Sequence, residues 1–308
     1  MVWEFQFITF LQQNGNAFFD FLWSVVSMFG EELIMVGVIG ALYWCFNKEF
    51  AEYMGYSLLT STVVNGLIKN VVTRDRPFQS DDWQIENKKP DTAGGYSFPS
   101  GHSQGSATLF SSLAIWLKRR WMTVIAIIVP LLVAFSRLYL GVHFPTDVIA
   151  GLALGVGFSF LCYYLHKKVK DKYLLYIVTL LICSVGLFFC KTDDYFSTFG
   201  LMLGAFFGFL FESRFVNFGY DVIWWKKLIR FAGGIAVILI LKEGLKLLFN
   251  LIVPGSLYLT LIRYAVMAFC GIGLYPMLFA KLKFSRSPPS PGGFLLLLFV
   301  RDVIMPLS

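Results

Sequence analysis

Three polar blocks stand out in the chain: Lys69-Asn70-Val71-Val72-Thr73-Arg74-Asp75-Arg76-Pro77, then Pro99-Ser100-Gly101-His102, then Ser136-Arg137 followed by His143-Phe144-Pro145-Thr146-Asp147. They matter because of what surrounds them. Of 308 residues, 57% are hydrophobic, 18% aromatic and only 15% charged, a balance that excludes an ordinary soluble domain and reads as a polytopic membrane protein. Backbone groups in lipid must be satisfied within their own segment, so the apolar runs are helices and not strands. The predicted fold is therefore all-α, a polytopic membrane helical bundle. The three blocks fall at the ends of its helices.

Working outward, apolar runs are placed near 31–46, 49–72, 103–118, 122–142, 146–165, 173–190, 198–213, 228–249 and 256–281, about nine in all. Residues 1–30 are apolar but broken by Gln12, Gln13, Asn14, Asn16 and Asp20, and read as interfacial helices. The alternative is a tilted first span that carries Asp20. Met1-Val2-Trp3-Glu4 has neither the basic start nor the cleavage site of a signal peptide. Residues 31–172 form the expected catalytic core, 173–284 further transmembrane helices, and 285–308, rich in Ser, Pro and Gly at its start, a disordered tail. The long polar loop 73–98 reads as a lid or a mobile segment.

The net charge of +7 would suggest nucleic acid in a soluble protein. Here the basic residues flank apolar runs, so they read as topology signals, and no nucleic-acid partner is expected. Lys48, Lys118-Arg119-Arg120, Lys167-Lys168, Lys170, Lys172, Lys226-Lys227 and Lys281 with Lys283 mark one set of helix ends as cytoplasmic. All three polar blocks then share the opposite, extracytoplasmic face. The five cysteines (Cys45, Cys162, Cys183, Cys190 and Cys270) suggest neither a disulfide framework nor a zinc site.

The blocks hold the groups that bind and transfer an oxyanion, read as phosphate. A neutral imidazole attacks phosphorus well when a carboxylate holds its other nitrogen, and Asp147 lies four residues beyond His143. Pro145 suits the first turn of a following helix, from which Asp147 can reach back. His102 follows Ser100-Gly101 at a helix start, where free N–H groups favour an anion, and is assigned as the general acid for the leaving oxygen. Lys69, Arg76 and Arg137, with Ser100 and Gly101, would hold the phosphate; Arg supplies a planar fork and Lys a point charge. The blocks contain no cluster of metal-ligating carboxylates, so the expected catalysis needs neither metal nor cofactor. Lys242 and Lys246, with Glu243 between them, sit in the extracytoplasmic half of an apolar run. They read either as snorkelling charges that pair with Glu243, or as candidate headgroup contacts forming a second cationic wall.

Taken together, Lys69 with Arg76-Pro77, Pro99 to His102, and Ser136-Arg137 with His143 and Asp147 resemble the three signature motifs of the type 2 phosphatidate phosphatase (PAP2) superfamily. That group includes lipid phosphate phosphatases, glucose-6-phosphatases, undecaprenyl-diphosphate phosphatases and the soluble vanadium haloperoxidases. The resemblance covers roughly residues 31–170. It implies a six-helix-type core with extra C-terminal helices, a phosphohistidine on His143 oriented by Asp147, and His102 as proton donor. The layout of about nine spans is similar to the glucose-6-phosphatase and sphingosine-phosphate phosphatase branches. The expected function is hydrolysis of a phosphomonoester or diphosphate, on a lipid because a site at helix ends is reachable sideways from the bilayer. The alternatives are a lipid-linked phosphotransferase sharing the same intermediate, or a non-catalytic lipid-binding or transport module.

Overall fold

Apolar runs punctuated by side-chain caps produce a bundle of helices. The computed structural model describes residues 2–281, and the expectations for Lys283 and for the tail 285–308 fall outside that range. Two short helices, α1 (Val2–Gln13) and α2 (Ala17–Ser27), precede α3 (Glu32–Cys45), α4 (Lys48–Val72), α5 (Gly101–Leu117), α6 (Arg120–Tyr139) and α7 (Pro145–Lys168). The C-terminal part holds α8 (Lys172–Ser184), α9 (Asp193–Phe211), α10 (Trp224–Ile252), α11 (Leu257–Phe269) and α12 (Met277–Lys281). Among the described residues there is no strand. Asn47 caps α4 through Phe50 N at 2.9 Å, and Asp171 caps α8 through Leu174 N at 3.1 Å. Pro130 sits inside α6 without ending it, whereas the last run is divided by a π-helical turn at Cys270–Leu274 and by Pro276.

Each of the nine apolar runs is helical, yet by length and composition four described helices could cross a membrane: Arg120–Tyr139, Pro145–Lys168, Asp193–Val216 and Leu257–Phe279. The pair Ala17–Gly30 and Glu32–Cys45, bent by 45°, would make a fifth. The shortfall has a physical cause. α4 and α5 are rich in polar side chains that point at each other inside the bundle, and α5 is short at 17 residues. Asn65 Nδ2 donates to Gln104 Oε1 at 2.8 Å, Gln104 Nε2 donates to Ser61 O at 2.8 Å, and the Ser61 and Thr108 hydroxyls lie 2.9 Å apart. α10 carries Arg230, Lys242, Glu243 and Lys246.

Two glycines on α7 bring it against α5. A Cβ on Gly151 would sit 2.7 Å from Ser100 O, and one on Gly155 would collide with Gln104 O and Ala107. This close crossing sets the start of α7 beside the start of α5. At the other end of the bundle, Lys167 Nζ pairs with Glu49 Oε1 at 2.7 Å and Lys48 Nζ with Glu212 Oε1 at 3.0 Å, so the start of α4 and the ends of α7 and α9 also gather.

α1 and α2 lie over the site end. Asp20 Oδ1 accepts from Lys88 Nζ at 2.8 Å and from Tyr139 Oη at 2.6 Å. Gln12 Nε2 donates to Glu86 O at 2.8 Å and its Oε1 accepts from Glu86 N at 3.0 Å. The 73–98 loop is therefore fastened to both the N-terminal helices and α6.

Candidate active site

His143 lies in the turn between α6 and α7. Gly141, at φ +73°, makes the turn possible, since a side chain there would meet the backbone at Glu86. The imidazole Nδ1 is 3.4 Å from Asp147 Oδ2. That oxygen also accepts from Phe144 N at 2.8 Å and from Ser97 Oγ at 2.5 Å, while Oδ1 accepts from Arg74 Nη1 at 2.7 Å. The bond to Phe144 N is the helix-start contact that Pro145 at the first position allows, and it locks the carboxylate toward the ring. With Nδ1 turned to the carboxylate, Nε2 faces the other way, 3.4 Å from Arg76 Nη1. Burial, followed by Arg76, Arg137 and Lys69, holds the His143 imidazole well below the ordinary histidine range, so it is neutral at physiological pH.

His102 is in the first turn of α5, and its Nε2 is buried without a hydrogen-bond partner. The two imidazoles line one cavity of about 630 Å³. Lys69, Arg76 and Gly101 line it too; a Cβ on Gly101 would meet Asn65 Oδ1 only at 3.7 Å, so the backbone there leaves room.

The other site residues occupy graded positions. Arg76 spans the loop: Nε donates to Gly95 O at 3.0 Å, Nη2 to Gly94 O at 2.6 Å and Nη1 to Val142 O at 2.8 Å. It thus staples 94–95 to the His143 turn as well as facing the cavity. Lys69 Nζ is paired with Asp194 Oδ2 at 2.9 Å. Arg137 is not among the residues lining the cavity; its Nη1 donates to Ser27 Oγ at 2.7 Å and to Thr92 Oγ1 at 3.1 Å, and Thr92 does line it. Its Nε is buried without a hydrogen-bond partner. Ser100 is fully buried as the cap of α5, accepting from Ser103 N at 3.4 Å and from Ser103 Oγ at 3.0 Å. Lys242 lines the cavity, and Lys246 is exposed on α10 away from it. Among the described residues neither lysine forms an ion pair with Glu243, and no group of three or more His, Cys, Asp or Glu is arranged for a metal ion.

Sequence reasoning passed over four contributors. Ser97 shares the Asp147 oxygen that faces His143. Arg74 bridges Asp147 to Glu4 Oε2 at 2.7 Å, and Glu4, which is 1% exposed, also accepts from Thr146 Oγ1 at 2.7 Å. Asp194 reaches Lys69 from α9, because the turn before α9 is docked on the end of α4: Lys191 N donates to Asn70 Oδ1 at 2.9 Å and Asn70 Nδ2 to Thr192 Oγ1 at 2.8 Å. The available signal for Glu4 was a lone acid in an apolar helix.

Comparisons with known proteins bear on the family. The PAP2 superfamily model matches residues 50–171. Undecaprenyl-diphosphatase of Sulfolobus acidocaldarius is 33% identical over 159 residues, which cover 49% of this chain and 72% of that protein. The chain belongs to the PAP2 superfamily. Beyond the core, the model for the transmembrane extension of PAP2 superfamily phosphatases matches residues 196–287, a part in which no motif was readable. This PAP2 chain is also 37% identical over 103 residues to phosphatidylglycerophosphatase B of Bacillus subtilis, covering 29% of the chain and 50% of that protein. Lipid A 1-phosphatase of Rhizobium etli is 35% identical over 118 residues, covering 36% of the chain and 50% of that protein. The chain therefore spans about half the length of these two bacterial relatives. The crystal structure of a transmembrane PAP2-type phosphatidylglycerolphosphate phosphatase from Bacillus subtilis superposes with a TM-score of 0.47 at 22% identity, over 55% of this chain and 86% of that one. The protein is an all-α PAP2-type membrane phosphatase.

Proposed function

We propose that this phosphatase hydrolyses a lipid phosphomonoester or diphosphate through a phosphohistidine on His143, at the extracytoplasmic face and without a metal ion. The observation that carries the reading is the orientation of His143. Its Nδ1 is turned to Asp147 at 3.4 Å and its Nε2 to the cavity that His102 shares. Nε2 attacks phosphorus and the bond from phosphorus to the leaving oxygen breaks. His102 gives that oxygen its proton, and the lipid alcohol, or lipid monophosphate from a diphosphate, departs. His102 then takes a proton from water, the water oxygen attacks phosphorus, the P–N bond breaks and inorganic phosphate leaves. Asp147 holds the ring and stabilises the positive charge that forms on it.

Lys69 and Arg76 face the phosphate oxygens, with Arg137, bonded to Thr92, adding positive potential. A phosphate arriving at Lys69 takes the place of the Asp194 carboxylate. The face follows from charge: the site lies at the helix ends opposite those carrying Lys48 and Lys167, and lysine-rich ends remain in the cytoplasm. On this reading α1 and α2 rest in the interface above the site.

The test is phosphate release by purified protein from hexadecyl phosphate, phosphatidate and a polyprenyl diphosphate, with and without EDTA. Release from at least one lipid that EDTA leaves unchanged is expected. Release abolished by EDTA contradicts metal-free catalysis, and release from none contradicts the assignment.

A further inference from the structure

We infer that the cavity beside His143 continues as a slot between the catalytic core and the C-terminal extension, and that it takes the hydrocarbon chain of a single-chain lipid phosphate. This rests on the phosphatase reading above and adds the substrate class.

One cavity joins two unlike ends. His102, His143, Arg76 and Lys69 line one; Trp44, Phe209, Ile238 and Gly271 line the other. Glu32 and Trp44 both line it from α3, and at 1.5 Å per residue they are about 18 Å apart along the axis. Gly55 and Lys69 line it over a similar length of α4. The space thus extends along the helix axes, running down between helices.

The extension builds its far wall. Leu201, Ala205 and Phe209 recur every four residues on α9 and present one stripe to the space. α10 adds Ile238 and Lys242, also one turn apart, and α11 with its π-helical turn adds Met267, Ala268 and Gly271. The floor is closed: Trp44 Nε1 donates to Gly271 O at 3.0 Å and Tyr43 Oη to Ile272 O at 3.4 Å. Between the phosphate end and the apolar end stands a collar of Glu32, Asp194 and Lys242, suited to the polar atoms that join a phosphate to a chain.

The volume limits the occupant. About 630 Å³ is the size of a pocket that holds one drug-sized molecule, and it matches a headgroup with one chain. A chain already in lipid gains little hydrophobic energy on entering such a slot, because lipid tails are as apolar as its lining. The slot therefore acts by position: a held chain keeps the phosphate over His143.

The experiment uses hexadecyl phosphate bearing a terminal diazirine. Irradiated with the binding-competent His143→Asn variant, it should attach to peptides containing Ile238, Ala268 or Gly271. Attachment confined to the lipid-facing side chains of α6 and α7 would overturn the slot. In turnover, Ala268→Leu and Ile238→Phe should each lower kcat/KM for hexadecyl phosphate about 10-fold or more, with p-nitrophenyl phosphate hydrolysis within about two-fold of wild type. An equal loss for both substrates in a variant that melts like the wild type, or a wild-type preference for two-chain phosphatidate over hexadecyl phosphate, would contradict the proposal. A variant that fails to fold loses p-nitrophenyl phosphate turnover too, and the labelling of His143→Asn then decides alone. Hexadecyl phosphate that labels the slot but is not hydrolysed by wild type leaves the slot standing and defeats the phosphatase reading on which it was built.

Discussion

The two walls of the cavity are held together by different forces. On the core side, α4 and α5 are joined by the Ser61, Asn65, Gln104 and Thr108 side chains, and the His143 turn by Asp147, Ser97 and Arg74. On the extension side, α9 and α11 meet through ring contacts such as Phe196–Tyr258 at 5.4 Å and through glycine. A Cβ on Gly200 or Gly204 would run into the carbonyl oxygens of Leu261 or Ala265. Apolar contact between helices gains little over contact with lipid, so a membrane bundle fixes geometry by hydrogen bonds or by very close packing. The core uses the first, where atoms must be oriented for chemistry. The extension uses the second, where a shape has to be kept.

Substitutions on the two walls should therefore fail in different ways. Among the residues around His143 the largest effect belongs to Asp147→Asn, which leaves the His143 turn in place but removes the charge that selects the tautomer; phosphate release should fall roughly 10³-fold. Next is Arg74→Ala. It strands two buried carboxylates, Glu4 and Asp147, and should cost about 3–5 kcal/mol, read as a fall in melting temperature in detergent. A melting temperature unchanged by that variant would mean that α1 is not clamped to the site.

The packing glycines behind the extension wall should respond through stability. Gly204→Val forces α11 off α9 and should cost about 1–3 kcal/mol, while the folded fraction hydrolyses p-nitrophenyl phosphate at the wild-type rate. The smallest effect is at the join between the walls. The Lys69–Asp194 pair has a half-exposed carboxylate and is worth at most about 1 kcal/mol, so Asp194→Asn should lower KM about two- to five-fold by freeing Lys69 for the phosphate. A raised KM would mean that Asp194 positions Lys69 instead of competing for it.

How far the sequence could be read follows the same division. The helices were legible because apolar runs of bilayer length permit little else. His102 and His143 were legible as partners because their blocks fall at the same end of alternating helices, and they do open on one cavity. Arg137 was expected among the phosphate contacts; its bond to Thr92, which lines the cavity, depends on how the 73–98 loop folds back. That loop was read as a lid or a mobile segment; Arg76, Lys88 and Gln12 tie it down through partners scattered from residue 12 to residue 142. Glu4 and Asp194 carry no signal of a partner in the sequence, because a carboxylate near a helix end is common and only tertiary contact assigns it a partner. The slot has no local signature: its lining comes from α3, α4, α9, α10 and α11, each contributing a stripe that alone reads as core packing.

The central claim is that His143 carries the phosphoryl group. Rapid acid-free quenching during turnover of a lipid phosphate, followed by peptide mass spectrometry, tests it most directly. The account predicts an acid-labile phosphoryl adduct on His143, absent from His143→Ala, which should release no phosphate. An adduct on another residue, or turnover that survives in His143→Ala, would contradict it.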